Sequence, residues 1–216
     1  MARKSGSSPF ERKKSSLKQQ PLVLIICEDT KSSLQYLKDA ARHFRAIVEV
    51  EKIEKVSIIN CGKNDPLNII KEAVERQRSF DQVYCAIDRD THENYDEALA
   101  LAKAHKKISV IASYPCYEFW LLLHFKKTRK PYTGLGKNSS SGDLLGKDLR
   151  KCEGMESYEK GSSENLFEQL FDKLEKARER AEQVMNEALS DGELNPSTQL
   201  HQLIQRFESL GTPQPL

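Results

Sequence analysis

The sequence lacks three features that mark common special classes of protein. Its five cysteines include no C-x-x-C pair and are odd in number, which argues against a disulfide scaffold and against a zinc ribbon. No apolar run approaches the roughly 18 residues that a membrane helix needs. The first residues contain no apolar segment of the kind found in signal peptides. We therefore expect a cytoplasmic protein that makes no contact with membranes.

The composition is polar, but it retains enough apolar residues for one core. Of the 216 residues, 38% are hydrophobic and 31% are charged, which suits one domain with an accessory part. The formal net charge is only +2, although residues 1–20 contain six basic residues and one acidic residue. We expect residues 1–20 to form a disordered basic leader, which either holds phosphate backbones or is solvated without a ligand.

Two apolar runs end on acidic side chains. One run leads to Glu28, and the other leads to Asp88 and Asp90. Runs of this length, rich in Val and Ile, are typical of strands that are buried on both faces of a parallel sheet. Such sheets bind ligands beyond the carboxyl ends of their strands, so neighbouring strands would bring the three carboxylates together. Three carboxylates at one point favour a bound divalent cation, and the sequence predicts a site for Mg²⁺ or Mn²⁺. The alternative is a polar loop in which an aspartate caps the next helix.

Strand and helix patterns alternate along the first half of the chain. The strand patterns cover residues 22–28, 48–59, 82–88 and 108–111, with a helical pattern after each of them. This alternation predicts a three-layer α/β core over residues 21–125, with a central, mostly parallel, four-stranded sheet.

The second half of the chain has a different character. Residues 126–142 are basic and rich in Gly and Ser, which predicts a flexible loop. Residues 143–216 predict a helical extension that packs on the core or on another protein. Its apolar stripe consists of Leu166, Leu170, Leu174, Ala177, Ala181, Val184 and Leu189.

One carboxylate stands among large apolar residues. Glu118 lies in the stretch between Ser113 and Phe125, which includes the single tryptophan of the chain. Burying a carboxylate is costly unless it is paired. We therefore predict that Glu118 belongs to the site or is locked in an ion pair with Lys31 or Arg89.

Substrate phosphates have several candidate partners. The first-turn N–H groups of the helix predicted from about residue 31 would lie near Glu28, and a helix N-terminus favours an anion. Lys31, Arg89, Lys126, Lys127 and Arg129 could add positive charge, although a basic run such as 126–130 is often only a solvated loop.

The arrangement of acids resembles the Toprim fold of topoisomerases, primases and related nucleases, in which Glu follows the first strand and Asp-x-Asp follows a later one. Further stretches sharpen this resemblance. They are residues 26–31 (Ile-Cys-Glu-Asp-Thr-Lys), residues 113–125 and residues 195–198 (Asn-Pro-Ser-Thr). With them, the chain from about residue 20 to about residue 210 resembles the RloB-like family, also known as AbiLii-type proteins, of bacterial restriction and abortive-infection loci.

The resemblance implies a Toprim-like core, a role in anti-phage defence and a neighbouring ABC-type ATPase as partner. It carries over Glu28 as catalytic acid or base and Asp88 and Asp90 as catalytic metal ligands. It also carries over Glu118 and His124 as positions in the site or in the core, and for His124 a half-buried core histidine is the simpler interpretation.

The chain departs from many Toprim proteins at two positions. Asp29 stands where many of them have glycine, and Ser33 stands where many relatives have an acid. Asp29 could replace the missing charge as an additional metal ligand.

Two function classes remain open at this point. In the first, a metal on Asp88 and Asp90 polarises a phosphodiester of DNA or RNA while Glu28 shares a second metal or handles a proton. In the second, the acidic cluster is inactive, and the chain is an adaptor or regulatory subunit of the ATPase. No motif distinguishes DNA from RNA, including tRNA.

Overall fold

The computed structural model describes residues 21–44, 49–50, 53–54, 56–89, 92–134, 140–161 and 165–212. The predicted leader, residues 1–20, lies outside the described residues. Asp90 lies outside them as well, as do residues 135–139 of the predicted loop.

The centre of the protein is a five-stranded sheet. Its strands are β1 (Val23–Cys27), β4 (Val56–Asn60), β5 (Gln82–Asp88), β6 (Ile108–Tyr114) and β7 (Ser197–Thr198). The spatial order is β4-β1-β5-β6-β7, in which the first four strands are parallel and β7 is antiparallel to β6. Two further strands, β2 (Glu49–Val50) and β3 (Ile53–Glu54), form a separate antiparallel pair.

Within the described ranges, eight α-helices connect and cover these strands. They are α1 (Ser32–His43), α2 (Pro66–Arg76), α3 (Tyr95–Lys103), α4 (Glu118–Leu123), α5 (Ser141–Leu149), α6 (Leu166–Leu170), α7 (Leu174–Asp191) and α8 (Leu200–Gly211). Among the residues that the structure describes, no helix is long and apolar enough to cross a membrane.

Strand β1 shows why the sheet lies between two helical layers. All five of its residues are buried, and successive side chains point to opposite faces. Leu24 and Ile26 pack with residues of α2 and α3, whereas Val23 and Ile25 pack with residues of α1, α4 and α8. The predicted three-layer α/β core is therefore confirmed, and helices from the C-terminal half complete one of its layers.

Local signals position the helices on this sheet. Helix α2 begins as its sequence predicts, because the Asp65 carboxylate accepts a hydrogen bond from the Asn68 N–H (3.0 Å) and Pro66 occupies the first helical position. Helix α7 ends at Gly192, whose φ of 78° is a left-handed conformation that glycine adopts without strain.

The structure differs from the sequence prediction in the C-terminal half. The sequence predicts four strands in the sheet, but Ser197 and Thr198 form a fifth by pairing with Tyr114 and Ser113. The helical pattern from residue 143 is interrupted between α5 and α6, where residues 150–161 form turns. Most of the predicted apolar stripe is buried, but Leu189 is 67% exposed and does not belong to the core.

Candidate active site at the ends of two parallel strands

The structure brings Glu28 and Asp88 together. Strands β1 and β5 are parallel neighbours, with Cys27 opposite Ala86, so both acids follow at the same edge of the sheet. The Glu28 N–H donates to the carbonyl oxygen of Ala86 (3.1 Å), and the Asp88 N–H donates to Oε2 of Glu28 (2.9 Å). The Glu28 carboxylate is thereby fixed against the end of β5.

This edge is the point at which the strand order reverses. From β1 the chain first adds β4 on one side and then returns to add β5 on the other side. In open parallel sheets such a reversal leaves a crevice beyond the carboxyl ends of the two strands, where ligands bind. Asn60, at the end of β4, supports the crevice because its amide nitrogen donates to the carbonyl oxygens of Cys27 (2.9 Å) and Glu28 (2.7 Å).

Asp88 lies in an environment that resists ionisation. Burial raises the pKa of its carboxyl group well above the usual value, and the nearby carboxylates of Glu28 and Glu118 raise the pKa further. Lys160 acts in the opposite direction. A carboxyl group under these conditions holds either a proton or a compensating cation.

Glu118 belongs to the same environment. It is the first residue of α4 and is only 2% exposed. The Tyr158 hydroxyl lies 3.5 Å from Oε1 of Glu118 and donates toward it. Burial raises the pKa of the adjacent Cys116 thiol, with further contributions from Glu118 and Asp88. Glu118 and Asp88 thus both raise the pKa of Cys116, and Glu118 also raises the pKa of Asp88. The positive charge of Lys160 lowers both pKa values.

A small cavity lies between the acids. Its volume is about 10 Å³, which matches a single water molecule or ion. Its lining includes Glu28, Asp29, Asp88, Ser113 and Tyr117. The Tyr117 side chain is buried, and among the described residues its hydroxyl group has no hydrogen-bond partner. The lining of the cavity therefore includes three acidic residues and a tyrosine whose hydroxyl group has no partner among the described residues.

The N–H groups at the start of α1 bind a side chain of the protein itself, whereas the sequence predicts that they bind a substrate phosphate. The Asp29 carboxylate accepts hydrogen bonds from the N–H groups of Lys31 (3.0 Å) and Ser33 (2.7 Å). These are two of the N–H groups that were predicted to bind a substrate phosphate. Asp29 therefore stabilises the helix start, while its side chain also lines the small cavity.

His92 joins the site although its position in the sequence gave no ligand spacing. Its Nε2 lies 3.4 Å from Oε1 of Glu28. The only sequence signal was its place two residues after Asp90. The sequence contains no signal that Tyr158 and Lys160 reach the site, because they lie in a stretch that it predicts to be helical.

The other predicted phosphate partners make contacts elsewhere. Lys126 lies 4.0 Å from the Asp148 carboxylate, and Lys127 forms an ion pair with Glu187. The Arg129 guanidinium contacts the loop after α7. These three side chains are near α5 and α7, whereas the acids follow β1 and β5. Arg89 follows Asp88 and stacks on the Tyr95 ring, at 4.5 Å from the ring centroid.

His124 lies in the core. It is 2% exposed, and its Nδ1 is 3.1 Å from the carbonyl oxygen of Trp120. Because a carbonyl oxygen only accepts, Nδ1 carries the proton and Nε2 accepts from the Tyr36 hydroxyl (3.2 Å). This arrangement is that of a satisfied core histidine.

The types of residue at the site suit a hard divalent cation, but fewer of the predicted ligands lie together than the sequence predicts. Carboxylate oxygens are the ligands that Mg²⁺ and Mn²⁺ prefer. Within the described ranges, which omit Asp90, no group of three or more His, Cys, Asp or Glu side chains is arranged to hold a metal ion. Two of the three predicted ligands, Glu28 and Asp88, do lie together.

Comparison with known proteins adds one finding. The model of a protein family described as "RloB-like protein" matches residues 23–207. No curated protein and no solved structure matches the chain.

Proposed function

The chain belongs to the RloB-like protein family, and we propose that it is a divalent-metal-dependent nuclease that hydrolyses phosphodiester bonds of DNA or RNA. The observation that carries the proposal is the Glu28–Asp88 pair at the strand-order reversal, where the Asp88 N–H binds the Glu28 carboxylate (2.9 Å). Burial and nearby acids raise the pKa of Asp88, which is the situation that a bound cation relieves.

In this proposal Glu28 and Asp88 hold Mg²⁺ or Mn²⁺, with Asp90 as the third expected ligand. The bound cation would polarise a phosphodiester and activate water. Glu28 also fixes His92, and this pair would move a proton at the reacting oxygen. Glu118 is buried near Asp88 and helps to raise the pKa of its carboxyl group, after burial and Glu28. The Toprim-like character of the core is part of the same proposal.

The biological setting is proposed from the resemblance. It is anti-phage defence or abortive infection in the cytoplasm, together with an ABC-type ATPase encoded nearby. The alternative is that the chain is an adaptor or regulatory subunit of that ATPase. The lack of a complete metal-binding group among the described residues favours testing this alternative directly.

The experiment compares the wild-type protein with Glu28→Gln and Asp88→Asn. Each protein is incubated with DNA and with total RNA, in Mg²⁺, Mn²⁺ or EDTA, with and without the ATPase. We expect cleavage by the wild type in the presence of a divalent ion and loss of cleavage in both variants. Glu97→Gln is the matched control, because this exposed acid of α3 lies outside the site and should leave cleavage unchanged.

Thermal melting gives a second measure that does not need the substrate. Mg²⁺ at about 100 times its Kd should stabilise the wild type by about 2.7 kcal/mol, and this effect should grow with pH because the ion displaces a proton from Asp88. Asp88→Asn should melt higher than the wild type in EDTA and should lose the response to Mg²⁺. Cleavage of neither nucleic acid, combined with no response to the ion, would favour the adaptor.

A further inference from the structure

A second and much larger groove lies beside the acid pair. Its volume is about 740 Å³. One side is formed by the start of α1, including Lys31 and Gln35, and the other by residues 154–161 and α6. None of the sequence motifs pointed to this groove, because its two sides are more than a hundred residues apart in the chain.

The groove and the small acidic cavity share a wall. Asp29 lines the cavity and binds the N–H group of Lys31, which lines the groove. Tyr158 lines the groove, and its hydroxyl donates to the buried Glu118. The first turn of α1 and the Tyr158 side chain therefore link the groove to the carboxylates of the candidate active site.

A hydrogen bond closes this wall. The Gly161 N–H donates to Oγ of Ser32 (2.9 Å), which ties residues 154–161 to the first turn of α1. This contact joins two residues that are 129 positions apart in the chain, and it holds the two sides of the groove together.

The two kinds of side chain in the groove suit an unpaired base. Apolar surface comes from the half-buried Leu34 and from the edges of Met155 and Leu166, which are only 3% and 5% exposed. Amide groups come from Asn165 and Gln169, and amides both donate to and accept from the edges of bases. The Gln35 amide nitrogen instead donates to Oδ1 of Asp39 (2.8 Å), whose carboxylate also lines the groove. Lys31 adds a positive charge to the lining of the groove.

The size of the groove selects between single strands and duplexes. Sites that enclose one small molecule have volumes of roughly 300–1,000 Å³, and this groove falls in that range. A base inside a duplex is stacked and paired, so it cannot enter such a site without leaving its partner. Bases of single strands, loops and bulges can enter directly.

We propose that this groove binds one or two unpaired nucleotides beside the phosphodiester at the Glu28–Asp88 pair, so that the substrate is single-stranded nucleic acid or an unpaired loop. The inference rests on the proposed nuclease function and adds the substrate class. Both DNA and RNA can supply an unpaired nucleotide, and the experiment below distinguishes between them.

The test measures binding rather than cleavage. Fluorescently labelled 12-nucleotide single strands of DNA and of RNA, and the matching duplexes, are titrated with the full-length protein in EDTA, and anisotropy is recorded. The variant Gln169→Glu places a negative charge in the groove. Gln205→Glu is the control, because Gln205 is also an exposed helical glutamine but lines a different cavity, between α8 and the β5–β6 edge.

We expect the wild type to bind single strands more tightly than duplexes. Gln169→Glu should weaken single-strand binding about fivefold through repulsion of the phosphates, while Gln205→Glu should change it by less than about twofold. The DNA and RNA arms then show which sugar is preferred. Melting temperatures of both variants verify that each is folded.

Separate outcomes would overturn separate claims. Equal or tighter binding of duplexes would reject the substrate class, as would no binding of any strand. Equal effects of the two glutamate variants would reject the groove, even if metal-dependent cleavage is observed. Conversely, selective weakening by Gln169→Glu without cleavage in any metal would support the groove and reject the nuclease.

Discussion

Tyr117 is the residue whose environment is hardest to explain by packing alone. Its hydroxyl group is buried at the acidic cavity and has no partner among the described residues. A buried hydroxyl without a hydrogen bond is costly, so such groups in native proteins usually have a functional reason. Burial raises the pKa of this hydroxyl well above its usual value, and Tyr36, Tyr158, Glu118 and Asp29 raise it further.

Replacing Tyr117 by Phe should separate stability from function. The variant loses only the oxygen, so the protein without metal should become more stable by about 1 kcal/mol, or about 2–4 °C in Tm. Cleavage in Mg²⁺ should fall, because the hydroxyl would no longer bind a ligand in the cavity. A variant that is less stable in EDTA would instead indicate an ordinary structural hydrogen bond.

His124 makes the fold sensitive to acid. Burial lowers its pKa from 6.5 to about 4, so the folded protein holds the neutral form. A lowered pKa contributes stability that is complete above pH 6.5 and is lost as the pH falls toward 4. The shift corresponds to about 3 kcal/mol over this interval.

Urea unfolding of the wild type and of His124→Gln, measured from pH 7.5 to pH 4, checks this prediction. The variant should be less stable at pH 7.5, because glutamine replaces the contacts with Trp120 and Tyr36 imperfectly. Its disadvantage should shrink by about 3 kcal/mol on acidification, since it has no imidazole to protonate. A constant difference across the interval would contradict the assignment.

At the scale of elements, the segment before α5 is fastened to the loop before β7. Arg129 donates to Asp191 and to the carbonyl oxygens of Glu193 (2.7 Å) and Pro196 (2.7 Å). The Asn195 side chain adds hydrogen bonds to both backbone groups of Tyr132. These contacts hold the short strand β7 against β6.

Arg129→Ala should therefore lower the free energy of unfolding by about 2 kcal/mol, since a charged group with several hydrogen bonds is lost. Lys127→Ala is the matched control, because the ion pair of Lys127 with Glu187 is exposed and should contribute about 0–1 kcal/mol. Chemical denaturation measures both. If Arg129→Ala instead weakens binding of nucleic acid without loss of stability, the phosphate role suggested by the sequence is correct.

Sequence reasoning was strongest where a signal is local. The apolar runs of β1 and β5 predict their burial, but the alternation of strands and helices does not predict that the two strands are neighbours, because β4 comes between them in the chain. Strand β7 was missed because only two residues pair, and their partner Ser113 lies 85 positions before Thr198. Periodicity within a segment contains no information about such distant contacts.

The same limit applies to the candidate site. Glu28 and Asp88 were predicted because each ends an apolar run. Tyr158 and Lys160 reach the acids from turns after α5, and only the packing of the chain reveals their position. The groove beside the acids was likewise invisible in the sequence.

At the scale of the whole molecule, the C-terminal helices are part of the core. Leu200, Leu203, Ile204, Phe207 and Leu210 of α8 belong to the same buried cluster as Val23 and Ile25 of β1. The sequence predicts that residues 143–216 form an extension. In the structure, the helices of this segment cover one face of the central sheet.

A chain truncated before Leu200 should fail to fold. Burial of five large apolar side chains contributes about 10 kcal/mol, which is similar to the total stability of about 5–15 kcal/mol that domains usually have. Near-ultraviolet circular dichroism should show no native signal. The full-length variant Gln205→Ala, which changes an exposed side chain of α8, should retain it, and a folded truncated chain would mean that α8 is dispensable.

The contact between Gly161 and Ser32 has a consequence for protein synthesis. The ribosome releases Glu28 and Asp88 first, whereas residues 158–161 emerge much later, and α8 emerges later still. A nascent chain therefore carries both acids without the groove and without a complete core. If the proposed activity holds, the nuclease cannot attack the nucleic acids around its own ribosome until α8 has been synthesised.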